Sequence, residues 1–307
     1  MVVNNNVVMS VKGVSKIFKS GIFNPEYTVA AKNISFDIEK GEIISLIGES
    51  GSGKTTVGKL ILKLLTPSEG KIIYKGKDIA EINNKKESRD YYRKVQGIFQ
   101  DPFATFNPLY RVNRIFDLIF DSFDLGYEDK DKAIRNALYD VNLNPDRTLG
   151  KFPHELSGGQ LQRLLIARAL LMDVDVLIAD ELISMLDAST RIGVLNLLVE
   201  ACKKQGMAVI FITHDLNLGY YISDKSLIMY RGRLVERGDT EKVYENATHP
   251  YTRMLFEAVP EIGERWDRDE EFLPEQVVNK VEEFYQNNRG KDFVEIEKDH
   301  SVLFSVD

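Results

Sequence analysis

Apolar positions along this chain fall into short blocks with two different periods. Between residues 8 and 47 they partly alternate in twos, which predicts several short strands, with a turn at Lys40-Gly41. Ile43-Ile-Ser-Leu-Ile47 is a nearly unbroken apolar run of strand length, as expected for a buried strand. Residues 71–75 and 95–100 read as further strands. The charged stretch 79–94 between them reads as a loop running into a short helix. From about residue 103 the spacing shifts to three and four, predicting helices over 112–123, 130–141 and 157–172. An apolar strand over 174–180, an amphipathic helix over 190–205 and a buried strand over 208–213 follow. Buried strands alternating with helices predict an α/β fold with a mainly parallel sheet. Ahead of it lies an antiparallel β region, and an α-helical subdomain is inserted over about 101–170. Beyond residue 260 the chain turns acidic, with a solvated helix expected over about 274–287 and a short docking strand after it; no internal repeat is visible.

The strand at 43–47 and the helical spacing after residue 55 bracket Gly48-Glu-Ser-Gly-Ser-Gly-Lys54-Thr55, which fits G-x-x-x-x-G-K-[ST] at every fixed position. In such a loop Gly48, Gly51 and Gly53 let backbone N–H groups turn toward phosphate oxygens. Ser50, Ser52 and Thr56 line the same turn, and the helix N-terminus adds partial positive charge. Lys54 supplies a full charge for β- and γ-phosphates, and the Thr55 hydroxyl is a hard oxygen suited to Mg²⁺. These features predict a P-loop NTPase core that binds ATP.

Composition narrows the classes. The 307 residues include 43% hydrophobic and 28% charged side chains, a globular balance. No apolar run approaches the ~20 residues that span a bilayer, and residues 1–8 lack the charged, apolar pattern of a signal peptide. Both predict a cytosolic chain. The net charge of −7 offers no basic face for nucleic acid. A single cysteine, Cys202, excludes an internal disulfide and any cysteine-built metal site.

A phosphate-binding loop needs a second acid, and Val176-Leu-Ile-Ala-Asp180 delivers one at the end of an apolar strand, where it can hold Mg²⁺. Glu181 follows at once, placed to orient and deprotonate attacking water. Outside this context the pair would read as solvated acids at a strand end.

Leu156-Ser-Gly-Gly-Gln160, heading a helix, resembles the signature of the ATP-binding cassette ATPases. The resemblance implies that Ser157, Gly158, Gly159 and Gln160 face the γ-phosphate held by a second subunit. It implies that Gln100 senses Mg²⁺ and the attacking water, completing a metal set with Thr55 and Asp180. His214 matches the switch histidine, and Phe18 resembles the aromatic that stacks on adenine. Ser184-Met-Leu-Asp187 matches the loop that crosses the dimer interface, with Asp187 at its end. Finer matches resemble the oligopeptide/dipeptide importer branch: Phe99-Gln-Asp-Pro-Phe-Ala-Thr-Phe-Asn-Pro108, Phe152-Pro-His-Glu-Leu-Ser157, Glu245-Asn-Ala-Thr-His-Pro-Tyr-Thr252 and Ala258-Val-Pro260. The segment between Ile17 and Val29, with Val57-Gly-Lys-Leu-Ile-Leu62, resembles the second of that branch's two ATPase subunits.

The branch implies an ATPase domain over 1–260 and a separate acidic tail over 261–307. It implies a heterodimer with a second ATPase, two membrane permeases fed by an extracellular solute-binding protein, and a site on the cytoplasmic face of the membrane. Within the helical insert, the aromatic stretch Phe103 to Tyr110 is the candidate for the groove that receives a permease helix, against the alternative of packing within the insert. Three departures stand out. Leu182 replaces the usual proline after the catalytic acid, which frees its φ and restores an N–H. Leu161 follows the signature where a basic residue or Gln is usual. The cysteine-rich iron–sulfur segment of many relatives cannot be built. The rival readings are a nucleotide-binding but weakly catalytic partner subunit, and a soluble cassette ATPase acting on nucleic acid or the ribosome. The latter usually carries two cassettes, a coiled-coil insertion or a basic extension, none of which this sequence contains.

Overall fold

A computed structural model of the chain describes residues 6–21, 25–184, 186–258, 274–288 and 292–305. Two long antiparallel strands, β1 (Val7–Ser20) and β2 (Glu26–Glu39), lead into β3 (Ile43–Ile47) and α1 (Lys54–Ile61). Then come β4 (Glu69–Tyr74), β5 (Lys77–Asp78), α2 (Lys85–Lys94) and β6 (Val95–Ile98). The helical insert holds α3 (Pro102–Thr105), α4 (Arg114–Ser122), α5 (Lys130–Asp140), α6 (Pro145–Thr148) and α7 (Gly158–Met172). The second half runs β7 (Val176–Asp180), α8 (Ala188–Gln205), β8 (Ala208–Thr213), α9 (Leu216–Ile222), β9 (Lys225–Tyr230) and β10 (Arg233–Asp239). It closes with α10 (Thr240–Glu245), α11 (Pro250–Glu257), α12 (Pro274–Asn287), β11 (Phe293–Glu297) and β12 (His300–Leu303).

The strands form two sheets. An antiparallel one has the order β2-β1-β4-β5, and a larger one the order β11-β12-β10-β9-β3-β8-β7-β6. Within the larger sheet β9-β3-β8-β7-β6 are parallel; β3, β7 and β8 at its centre are buried at every position, which is why their sequences are almost continuous apolar runs. One apolar cluster lies between the sheets and around α1, and a second joins the large sheet to the helical insert. At the heart of the second, α7 buries Leu161, Leu164, Leu165, Ile166 and Leu171 on several sides at once, as a helix enclosed by neighbours must. Leu161, unusual after the signature, is a fully buried core residue.

The structure departs from the expected elements in instructive places. The N-terminal region contains two fourteen-residue strands rather than several short ones. Register shifts at Val11/Val14 and Lys16/Ile17 break the alternation, so one bulged strand reads as fragments. The strand expected over 95–100 stops at Ile98, because Asp101 already caps α3 through the Phe103 N–H. In the C-terminal region the expected helix is present, but a two-stranded hairpin, not one strand, joins the main sheet through β12 and β10. Residues 22–24 of the segment between Ile17 and Val29, Met185, the acidic run 267–271 and the end of Ala258-Val-Pro260 lie outside the described residues.

Candidate functional site

Strand register brings the chemistry to one edge. Ile47 of β3 pairs with Thr213 of β8, Ile212 of β8 with Asp180 of β7, and Ala179 of β7 with Ile98 of β6. The residues just beyond these parallel strands are Gly48, His214, Glu181 and, two past Ile98, the exposed Gln100. They converge at the carboxyl ends of neighbouring strands, where open α/β sheets bind ligands.

The loop from Gly48 to Gly53 is held from several directions. A Cβ on Gly48 would lie 2.2 Å from the Met229 carbonyl oxygen, and one on Gly53 would lie 2.1 Å from that of Ala30. Gly53 also needs φ +105° as the N-cap of α1. Gly232 N–H donates to the Ser52 carbonyl at 2.9 Å, and Ser52 N–H to that of Glu49 at 3.2 Å. Lys54, buried, donates from Nζ to the Gly48 and Glu49 carbonyls, each at 2.7 Å, and reaches Ser52 Oγ at 3.4 Å. Ser50, Gly51 and Thr55 are exposed, Thr56 is half-buried, and the first N–H groups of α1 have no partner within the helix.

Electrostatics favour anion and cation together. Burial draws the Lys54 ammonium below its usual range, opposed by Glu181, Asp180 and Glu49. Burial lifts the Asp180 carboxyl, opposed by a hydrogen bond with the Thr55 side chain, while Glu181 adds to the rise. Thr55 and Asp180 thus sit within hydrogen-bond reach of each other. They are two hard oxygen donors beside a buried cation, and this donor set suits Mg²⁺.

Glu181 sits at φ +49°, a left-handed conformation uncommon for a side chain of its size. Its N–H donates to the Ile212 carbonyl at 2.9 Å, and its own carbonyl accepts from Ser184 N–H at 3.1 Å and Ser184 Oγ at 3.0 Å. With Leu182 fully buried, these bonds fix the turn that proline would otherwise restrain. His214 Nδ1 lies 3.2 Å from Glu181 Oε1, with the Glu181 side chain 25% exposed and that of His214 60%. Asp187 caps α8 by accepting from Thr190 N–H at 3.0 Å, and Arg191 ties the same loop through the Leu186 carbonyl.

The signature forms the start of α7. Ser157, exposed, accepts from Gln160 N–H, and Gln160 Oε1 accepts from Ser157 N–H at 2.9 Å. Gly158 is half-buried near Leu186, and a Cβ on Gly159 would meet Thr190 at 2.6 Å. Phe18 is 39% exposed on β1 opposite Thr28, two residues from the Ala30 that abuts Gly53. Its hairpin therefore adjoins the phosphate loop. In the stretch 103–110, Phe106 is buried while Phe103, Leu109 and Tyr110 face solvent. Cys202 is buried, donating to the Met207 carbonyl, and burial pushes its thiol up to about 12.

Sequence reasoning missed Tyr251. Its hydroxyl accepts from Glu49 N–H at 3.0 Å, and it helps line a cavity of about 430 Å³ whose other wall is the loop Glu49–Ser52. The only signal was His-Pro-Tyr within a string that served above solely to mark the branch. Among the described residues no helix is long and apolar enough to cross a membrane.

A profile of the family described as ABC transporter matches residues 31–184, and one described as the oligopeptide/dipeptide transporter C-terminal region matches residues 235–295. The oligopeptide transport ATP-binding protein OppF of Streptococcus pyogenes serotype M1 is 45% identical over 76% of this chain and 76% of its own length. Among solved structures, the dimeric post-hydrolysis state of the ATP-binding cassette MJ0796 bound to ADP and Pi is similar with TM-score 0.66 and 26% identity, over 76% of this chain and 98% of that one. The cbiO1 structure from Clostridium perfringens, part of the cbiONQ transporter complex, is similar with TM-score 0.67 and 26% identity, over 83% of this chain and 96% of that one.

Proposed function

Because the chain belongs to the ATP-binding cassette ATPases, in the oligopeptide/dipeptide transporter branch, we propose that it hydrolyses ATP to power import of peptides or a related solute. The observation that carries the reading is the meeting of four strand ends. They bring the Lys54 loop, the Thr55–Asp180 pair and the Glu181–His214 pair to one edge.

Phe18 stacks on the base, and the N–H groups of the 48–56 loop with Lys54 hold the phosphates. Thr55, Gln100 and Asp180 would hold Mg²⁺, which when bound neutralises charge on the β- and γ-phosphate oxygens. Glu181 takes a proton from the attacking water, and His214 holds the carboxylate and γ-phosphate in line. Phosphoryl transfer depends mainly on positioning and charge neutralisation, so a rigid strand-end arrangement suits it. Ser157, Gly158, Gly159 and Gln160 close on the ATP of a second, different ATPase subunit, whose signature closes on this one, and Asp187 crosses between them. Phe103, Leu109 and Tyr110 dock a permease helix at the cytoplasmic face of the membrane. An extracellular solute-binding protein feeds the permeases.

Glu181→Gln tests the assignment. Loss of a general base costs roughly 10²–10⁴-fold in turnover. The variant should bind ATP as the parent does while phosphate release falls by that factor. Parental hydrolysis in Glu181→Gln would remove Glu181 from the role of base.

A further inference from the structure

Besides the close approaches of Ala30 and Met229, two hydrogen bonds from outside hold the phosphate loop. Gly232 N–H pins its late half at the Ser52 carbonyl, and the Tyr251 hydroxyl pins its early half at Glu49 N–H. The second contact crosses 202 residues of sequence and comes from α11, outside the strands that build the site. Tyr251 is itself rigidly held. It is 1% exposed, its ring packs against that of Tyr230 with centroids 4.3 Å apart, and its N–H donates to His249 Nδ1 at 3.2 Å. His249 is fixed in turn. Its N–H donates to Glu236 Oε2 at 3.1 Å, and its Nε2 lies 3.1 Å from the Tyr285 hydroxyl of α12. Glu236, fully buried, also meets His300 Nε2 of β12 at 2.8 Å. Val281 of α12 belongs to the same apolar cluster as Tyr251 and Ile47, the last residue before the loop.

We propose that Tyr251 is a positioning residue for nucleotide binding. Its hydroxyl holds Glu49 N–H and so sets the phosphate loop, and the C-terminal helix and hairpin brace it there. This rests on the ATPase reading above. The hydroxyl acts through the backbone of Glu49. The loop is thereby preorganised before ligand arrives, so its removal should weaken binding rather than the chemical step.

The test uses the full-length chain titrated with ADP in the presence of Mg²⁺, alongside thermal melting. Tyr251→Phe deletes only the hydroxyl and should weaken ADP binding roughly three- to tenfold, the scale of one hydrogen bond. Leu138→Ala, in α5 of the helical insert, trims a separate apolar cluster remote from that bond. It should lower the melting temperature and leave ADP affinity unchanged. Parental affinity in Tyr251→Phe, or equal weakening in Leu138→Ala, overturns the proposal. Failure of the parent chain to bind ADP would instead sink the ATPase reading on which it rests. If Tyr251→Phe does not fold, hydrogen exchange at the Glu49 amide of the parent chain decides. Protection supports the contact, and free exchange overturns it.

Discussion

Replacing Gly53 by alanine perturbs the site at one defined atom. The added Cβ would stand 2.1 Å from the Ala30 carbonyl oxygen and 3.2 Å from Met229 Cε. The first neighbour is backbone of β2 and cannot swing aside. The φ of +105° lies outside the wells an L side chain occupies, which costs about 1–3 kcal/mol before any contact is counted. Relief requires the start of α1 and the β1–β2 hairpin to separate by roughly 1 Å, a displacement that can cost on the order of 10²-fold in site function. It moves Lys54 and the hairpin bearing Phe18 apart together. Gly76→Ala, in the turn between β4 and β5, is the matched control. It also has positive φ, at +81°, but its Cβ would meet nothing within 4 Å. Phosphate release from ATP and Mg²⁺ should fall by about two orders of magnitude in Gly53→Ala and stay parental in Gly76→Ala. Parental turnover in Gly53→Ala, or equal losses in both variants, would refute the argument that the β2 contact sets the loop.

Two further outcomes follow from the same geometry. Lys54→Ala removes the cation and its contacts to Gly48 and Glu49, and should abolish measurable nucleotide affinity in titration calorimetry; retained affinity would refute its role. The C-terminal histidines make stability depend on pH in two opposite ways. Burial pushes His249 down to about 3 from 6.5, so its contribution is complete above 6.5 and falls as the medium is acidified toward 3. Each pH unit in that window costs about 1.4 kcal/mol. His300 is lowered by burial but raised further by Glu236 and Glu297. Its contribution is complete below 6.5 and is lost as pH rises through its folded value. Melting temperature measured across pH should therefore fall on both sides of about 6.5, and His300→Gln should flatten only the alkaline side. A profile unchanged by that substitution would contradict the Glu236 pairing.

Much of the site was legible because its residues follow strands that are apolar throughout. Ile43–Ile47, Val176–Asp180 and Ala208–Thr213 announce themselves, and Gly48, Asp180, Glu181 and His214 come at or just after their ends. What the pattern hid was non-local. The bulges of β1 depend on its pairing with β2 and β4, which no local period reports. The C-terminal hairpin shows only weak alternation, and it docks by pairing β12 with β10, with Glu236 and His300 buried together at the join. The bond from Glu49 N–H to Tyr251 joins the phosphate loop to α11, distant in sequence, and neither residue type signals the other. The left-handed turn at Glu181 was likewise unreadable, because its N–H is held by the Ile212 carbonyl of the neighbouring strand, a contact no local pattern reports.

The central claim is that this ATPase drives a membrane importer, and the most direct measurement is what it travels with. The tagged full-length chain would be purified in mild detergent from the cells that make it, and its companions identified by mass spectrometry. The account predicts two permeases and a second cassette ATPase, with ATP hydrolysis lost when Glu181 is replaced by glutamine. Ribosomal or DNA-repair proteins in place of permeases would contradict it.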